Sequence, residues 1–312
     1  MAAQADGAST RAEPRPLLDR ADIRALERLS VASREAIVTG LVGQRDGPGQ
    51  SSGFEFSDYR RYIAGDNVGR IDWSIYARLH ELYVRTAPQE ASLWLAVLLD
   101  ASRSMDTGEP SKLRYGRRLA ALLGAVALLG TDAVEVHLLS DGDSVSTGSF
   151  DSGGGALGAL VSELERLPPG RTTQLERSIR RSAKSGWQPE TAVLISDGLQ
   201  PSEELAAALT ELARSARAAA LVHVRDPADA PGGWSGSTQL LDSESGRRID
   251  ATITDEVRES YTQRYERWCE QIEWQCRRSG VRYVPADVTG DPLELLLATA
   301  RDQSLLRVAS FG

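Results

Sequence analysis

Trp94-Leu-Ala-Val-Leu-Leu-Asp-Ala-Ser-Arg-Ser104 is the stretch whose reading decides the fold. Residues 94–99 are apolar throughout, with no polar alternation, and this marks a strand buried on both faces. Such a strand sits in the middle of a parallel sheet covered by helices on either side. Open sheets of this kind take their ligands outside the C-terminal ends of the strands. Asp100, Ser102 and Ser104 fall at that end, and alternate residues of a turn can aim their oxygens at one point. Hard oxygen donors suit Mg²⁺, Mn²⁺ or Ca²⁺. Taken alone, the triplet is equally the chemistry of a turn or a helix cap.

Outward from this strand the pattern alternates. Helix is expected over 111–129, strand over 133–139 and a short polar edge strand over 144–150. Helices near 154–166 and 174–184 lead to a second continuous apolar strand, Thr191-Ala-Val-Leu-Ile-Ser196. Helix 202–216 and strand 218–224 follow. Strands alternating with helices of this length imply right-handed crossovers and a doubly wound, mostly parallel α/β sheet with helices on both faces. A hairpin insertion near 236–253 is read from strands 238–241 and 248–253. A long helix then starts after Thr254, a plausible N-cap with Asp255 and Glu256 in the first turn. Along it Val257, Tyr261, Tyr265, Trp268, Ile272 and Cys276 recur every three or four residues, a stripe read as core packing. Strand 281–285 and helix 292–303 close the pattern.

Residues 1–17 are rich in Ala, Gly, Ser and Pro and read as a disordered tail. A helix over 18–33 and a short strand over 37–41 follow. Residues 43–53 form a glycine-rich loop without the Gly-Lys-Ser/Thr ending of a phosphate-binding loop. The block from Gly53 to Arg78 mixes aromatic, acidic and arginine residues densely. Asp66 and Asp72, accepting from arginines such as Arg78, read together with Trp73, which follows Asp72, as a structural clamp of charge-assisted hydrogen bonds. Residues 81–86 read as a strand. No linker separates this block from Trp94, so residues 18–92 are expected to pack as an α+β extension on a main domain of 93–312.

Composition narrows the class of function. The 312 residues carry a net charge of −8, and the arginines are scattered among more numerous acids, which argues against a nucleic-acid footprint. Lysine is nearly absent, Lys112 and Lys184 being the two in the chain, which reads as genome composition. The longest apolar run, Leu119 to Gly130, is shorter than the roughly 18 residues of a membrane span. The N-terminus lacks the basic and apolar regions of a secretory signal, so a cytoplasmic location is expected. Cys269 and Cys276 lie about 10 Å apart along a helix, too far for a disulfide, and their spacing does not fit a zinc site. Both are expected to be core or half-buried thiols. His80, His137 and His223 are read as packed or surface histidines.

Two later positions can converge on the Asp100 turn. Gly170-Arg-Thr172-Thr presents a hydroxyl beside a glycine, and Ile195-Ser-Asp197-Gly ends the second buried strand with an acid. In this order and spacing, Asp100-x-Ser102-x-Ser104, Thr172 and Asp197 resemble the metal-ion-dependent adhesion site of von Willebrand factor A domains. The motifs Phe54-x-Phe-x-Asp-Tyr-Arg-x-Tyr, Gly65-Asp66, Ile71-Asp72-Trp73, Ala77-Arg78 and Glu90 resemble the bacterial family called domain of unknown function 58. That family usually has an arginine two residues before the Ile-Asp-Trp motif, where this chain has Gly69 followed by Arg70.

The resemblance implies a von Willebrand factor A-like, Rossmann-like fold. Ser102, Ser104 and Thr172, with Thr173 as the fallback, would be direct ligands of a divalent cation, Mg²⁺ first with Mn²⁺ or Ca²⁺ as substitutes. Asp100 and Asp197 would act through bound waters. It further implies a non-enzymatic protein that binds an Asp or Glu of a protein partner, working with a MoxR-type AAA+ ATPase. One alternative is a metal-dependent phosphoryl-transfer or hydrolytic enzyme using Asp100. No second acid stands two residues after Asp100, and there is no Gly-x-Ser-x-Gly elbow. A second alternative is a structural scaffold with a vestigial metal site.

Overall fold

The two uninterrupted apolar runs form adjacent central strands. In a computed structural model the described residues are 16–27, 59–61, 81–85, 94–129, 132–140, 143–151, 153–166, 168–170, 174–183, 187–229, 236–241 and 248–301. Two compact units divide the chain, residues 1–44 with 94–312 and residues 45–93. The smaller unit contains an antiparallel pair, β1 (Tyr59–Arg61) and β2 (Tyr83–Arg85), in register from Tyr59 opposite Arg85 to Arg61 opposite Tyr83. The expected clamp residues Asp66, Asp72, Trp73 and Arg78, and the expected strand over 37–41, lie outside the described residues.

The larger unit begins with α1 (Arg20–Glu27) and continues with β3 (Trp94–Asp100), α2 (Lys112–Leu129), β4 (Ala133–Ser140) and β5 (Asp143–Phe150). Next come α3 (Ala156–Arg166), α4 (Leu175–Ser182), β6 (Thr191–Ser196), α5 (Ser202–Ser215) and β7 (Ala218–Arg225). A hairpin, β8 (Gly236–Leu241) and β9 (Arg248–Ile253), precedes α6 (Asp255–Ser279), β10 (Arg282–Asp287) and α7 (Pro292–Arg301). The main sheet runs β10-β7-β6-β3-β4-β5, and every pairing is parallel except that of β5. The α/β class and mostly parallel sheet read from the sequence are therefore present. Edge strand β10 carries the exposed Pro285, opposite His223 of β7.

Period-two alternation divides each central strand between two cores. Leu95, Val97 and Leu99 of β3, with Val193 and Ile195 of β6, face Leu119, Leu122 and Val126 of α2, Leu160 of α3 and Leu296 of α7. Ala96, Leu98, Ala192 and Leu194 face the other way, onto Ile179 of α4, Leu209 of α5, and Ile272 and Cys276 of α6. Helix α1 joins the first layer through Leu26 and an ion pair of Asp22 to Arg118 of α2 at 3.0 Å. The chain leaves β3 toward β4 along one face and later leaves β6 toward β7 along the other. The neighbouring ends of β3 and β6 therefore flank the topological switch point, where such sheets open a crevice.

Helix α6 departs from the core stripe expected of it. Thr254 caps it as expected, accepting from Val257 N–H, and Gly280 ends it in the left-handed conformation. Ile272 and Cys276 are buried, but Val257 and Tyr261 remain 45% and 44% exposed. Length explains the difference. A 25-residue helix spans about 37 Å, whereas strands of six to eight residues reach roughly 20–26 Å. The N-terminal half of the helix thus overhangs the sheet.

Candidate cation site

Asp100 ends β3 fully buried and is held at both oxygens. Its Oδ1 accepts from Ser102 N–H at 2.9 Å. Its Oδ2 accepts from Ser196 Oγ at 2.6 Å and from Gln200 Nε2 at 3.4 Å. Parallel register brings this about, because Leu99 lies opposite Ile195 and each chain continues one residue further. The Asp100 to Ser102 bond is a local turn closed by an acid side chain. It bends the backbone so that Ser102 Oγ and Ser104 Oγ lie 3.0 Å apart, both buried. Behind them Met105 is buried in the first core, and Leu113 N–H donates to its carbonyl at 2.6 Å, fastening the turn to α2.

The loop of 168–170 comes to the same turn. Gly170 N–H donates to Ala101 O at 2.7 Å, and a Cβ at this position would lie 1.7 Å from Ser140 Oγ. Only glycine permits so close an approach. Thr172, two residues on, and Thr173 lie outside the described residues.

Asp197 follows β6 and is 1% exposed. Its Oδ1 accepts from Leu199 N–H at 3.2 Å across a turn in which Gly198 has φ of 66°. Its carbonyl receives His223 Nε2–H at 3.1 Å, while His223 Nδ1 lies 2.8 Å from the Tyr283 hydroxyl. Burial above all, with Arg225 second, lowers the His223 pKa to about 4, so the ring is neutral near pH 7. A neutral ring that donates from Nε2 accepts at Nδ1 from Tyr283, which satisfies both nitrogens.

The remaining oxygen, Asp197 Oδ2, is buried and paired with the Lys112 ammonium, whose Nζ lies 2.9 Å away. Lys112 starts α2 and hydrogen-bonds to Asp229 Oδ2, also at 2.9 Å. Burial lowers the Lys112 pKa, but Asp197 and Asp229 together outweigh it and hold the ammonium above its ordinary value.

The structure thus draws together Asp100, Ser102 and Ser104 on one turn and sets Asp197 at the end of the adjacent strand. Sequence reasoning missed four partners. Ser196 stood beside Asp197 without a role, and Gln200 lay two residues beyond Gly198. Lys112 was noticed only as a rare residue type, and Asp229 carried no signal.

The donor set suits a hard cation. It offers two neutral hydroxyls at contact distance and, in Gln200 Oε1, a buried acceptor lacking a hydrogen-bond donor among the described residues, while Asp197 Oδ2 is matched by the Lys112 ammonium. Among the described residues no group of three or more His, Cys, Asp or Glu could hold a metal, so any cation here would depend on hydroxyl ligands. No helix among the described residues is long and apolar enough to cross a membrane.

An α/β sheet with an acid and two hydroxyls at its switch point defines the class structurally. Residues 58–271 match the family described as protein of unknown function DUF58, and the chain belongs to that family. Among its relatives, Uncharacterized protein Rv1480 of Mycobacterium tuberculosis (strain ATCC 25618 / H37Rv) is 26% identical, over 77% of this chain and 76% of that one. Similar solved structures include the conserved hypothetical protein BatB from Bacteroides thetaiotaomicron, at 16% identity and a TM-score of 0.42, covering 68% of this chain and 98% of that one. A von Willebrand factor type A protein from Catenulispora acidiphila matches at 12% identity and a TM-score of 0.40, over 68% of this chain and 42% of its own.

Proposed function

We propose that this chain is a non-enzymatic protein-binding protein whose Asp100-x-Ser102-x-Ser104 turn, with Thr172 and Asp197, forms a metal-ion-dependent adhesion site. The observation that carries the proposal is the buried pair of hydroxyls, Ser102 and Ser104, 3.0 Å apart at the switch point of the sheet. A divalent cation held there, Mg²⁺ before Mn²⁺ or Ca²⁺, would supply a Lewis-acidic position for a carboxylate of a partner protein. Ser102, Ser104 and Thr172 would be its direct ligands. Asp100 and Asp197 would offset its charge and orient its waters from behind.

Occupation of both Asp100 oxygens by Ser102, Ser196 and Gln200 favours this supporting role over that of a phosphoryl acceptor, which needs an oxygen free for attack. In keeping with the family resemblance, the partner proposed is a MoxR-type AAA+ ATPase or its client, met in the cytoplasm.

The test compares pull-downs of the MoxR-type ATPase by the full chain in Mg²⁺ and in EDTA. Asp100→Asn serves as the variant because it keeps an oxygen for Ser102 N–H. Capture lost in EDTA and in Asp100→Asn, with an unchanged circular dichroism spectrum, is expected. Capture indifferent to both, or metal-dependent phosphoester turnover lost in Asp100→Asn, would overturn the proposal.

A further inference from the structure

Lys112 sits where ordinary rules oppose it. Among the described residues it is the only lysine or arginine that is buried, with a side-chain exposure of 0%. It is the first residue of α2, where the helix dipole disfavours a cation, and no acid stands in that first turn to offset it. In a chain with 36 basic residues, almost all of them arginine, the position is held by one of two lysines. A planar guanidinium fork would fix on one carboxylate. A compact ammonium with three donors can turn between two. Here those two are Asp229 and Asp197, whose Oδ2 oxygens both lie 2.9 Å from the ammonium.

We infer that Lys112 is a resident counter-cation of the cation site, neutralising Asp197 when no divalent ion is bound and turning wholly to Asp229 when one is. The inference rests on the cation reading proposed above and gives that site its regulation. Asp100 and Asp197, the two acids of the proposed cation site, carry two negative charges, which one divalent ion offsets once the ammonium has turned to Asp229. Asp229 is the alternative seat that makes the exchange possible. It ends the short helical turn Pro227–Asp229 after β7 and is 25% exposed, so it can receive the ammonium without stranding it. The Lys112 and Asp229 pair therefore sets how tightly Asp197 serves the divalent ion. It holds affinity below what the acids alone would give, so that occupancy depends more on a partner's carboxylate.

The test is a Mn²⁺ titration of the full chain by calorimetry and electron paramagnetic resonance, with the metal-induced shift in Tm as a second readout. Lys112→Met removes the competing charge and is expected to bind Mn²⁺ about tenfold more tightly, with a larger metal-induced Tm shift than the parent. Asp229→Asn confines the ammonium to Asp197 and is expected to bind about threefold or more weakly. Opposite signs in the two variants are what a merely structural ion pair would not produce. Equal or weaker affinity in Lys112→Met, or unchanged or tighter affinity in Asp229→Asn, overturns the inference. Should Lys112→Met fail to fold, Asp229→Asn decides alone. Absence of Mn²⁺ binding in the parent and both variants removes the cation reading itself.

Discussion

Single residues set the site by proximity rather than by charge alone. Gly170 is the clearest case, since an added Cβ would meet Ser140 Oγ at 1.7 Å, with Ala101 O at 3.3 Å. Gly170→Ala must push the loop off the Asp100 turn, and overpacking of this kind costs about 1–3 kcal/mol. Urea denaturation is expected to show that loss, and a fully stable variant would contradict the geometry. The Asp100, Ser102, Ser104 and Asp197 motif was legible in the sequence because its order and spacing are local to two strand ends. Ser196 and Gln200 were not, because their bonds to Asp100 span 96 and 100 residues and depend on which strands become neighbours. Lys112 was visible as a rare lysine, but its meaning lay in Asp229, 117 residues away.

Elements announced themselves where periodicity and caps agreed. Strands β3 and β6 were readable as unbroken apolar runs, and α6 as a capped helix. The exposed half of α6 was not readable, because a stripe of Val257 and Tyr261 looks the same whether or not a sheet extends beneath it. Where α6 does meet the sheet, Cys276 is fully buried, and burial chiefly raises its thiol pKa to about 12 from 9.0. The folded pKa lies above the unfolded one, so this contribution is fully present below pH 9 and fades as pH rises from 9 toward 12. Near pH 10.5 the loss amounts to about 2 kcal/mol. Cys276→Ala is expected to be less stable at pH 7 but to show a flatter decline in denaturation midpoint over pH 9–11. An unchanged slope would place the titration elsewhere.

At the scale of the molecule, the sheet is a partition between two cores. Leu122 belongs to one and Leu209 to the other, both fully buried. Each truncation to Ala is expected to cost about 2–5 kcal/mol. The double variant should match their sum within about 0.5 kcal/mol, because the two side chains belong to separate clusters on opposite faces of the sheet. Denaturant titration of the set checks this, and a large coupling energy would mean that strain crosses the strands. The doubly wound plan was the most legible level, since alternation of strand and helix leaves few topologies.

One edge of that sheet has a consequence beyond the single chain. Pro285 interrupts the outward row of amide donors on β10, and proline on an edge discourages a second molecule from adding its own strand there. Pro285→Val should leave the monomer's spectrum intact while raising light scattering in concentrated solution. By that account a residue outside the candidate cation site guards the sheet against crowding by the protein's own copies, and unchanged scattering by Pro285→Val would remove that role.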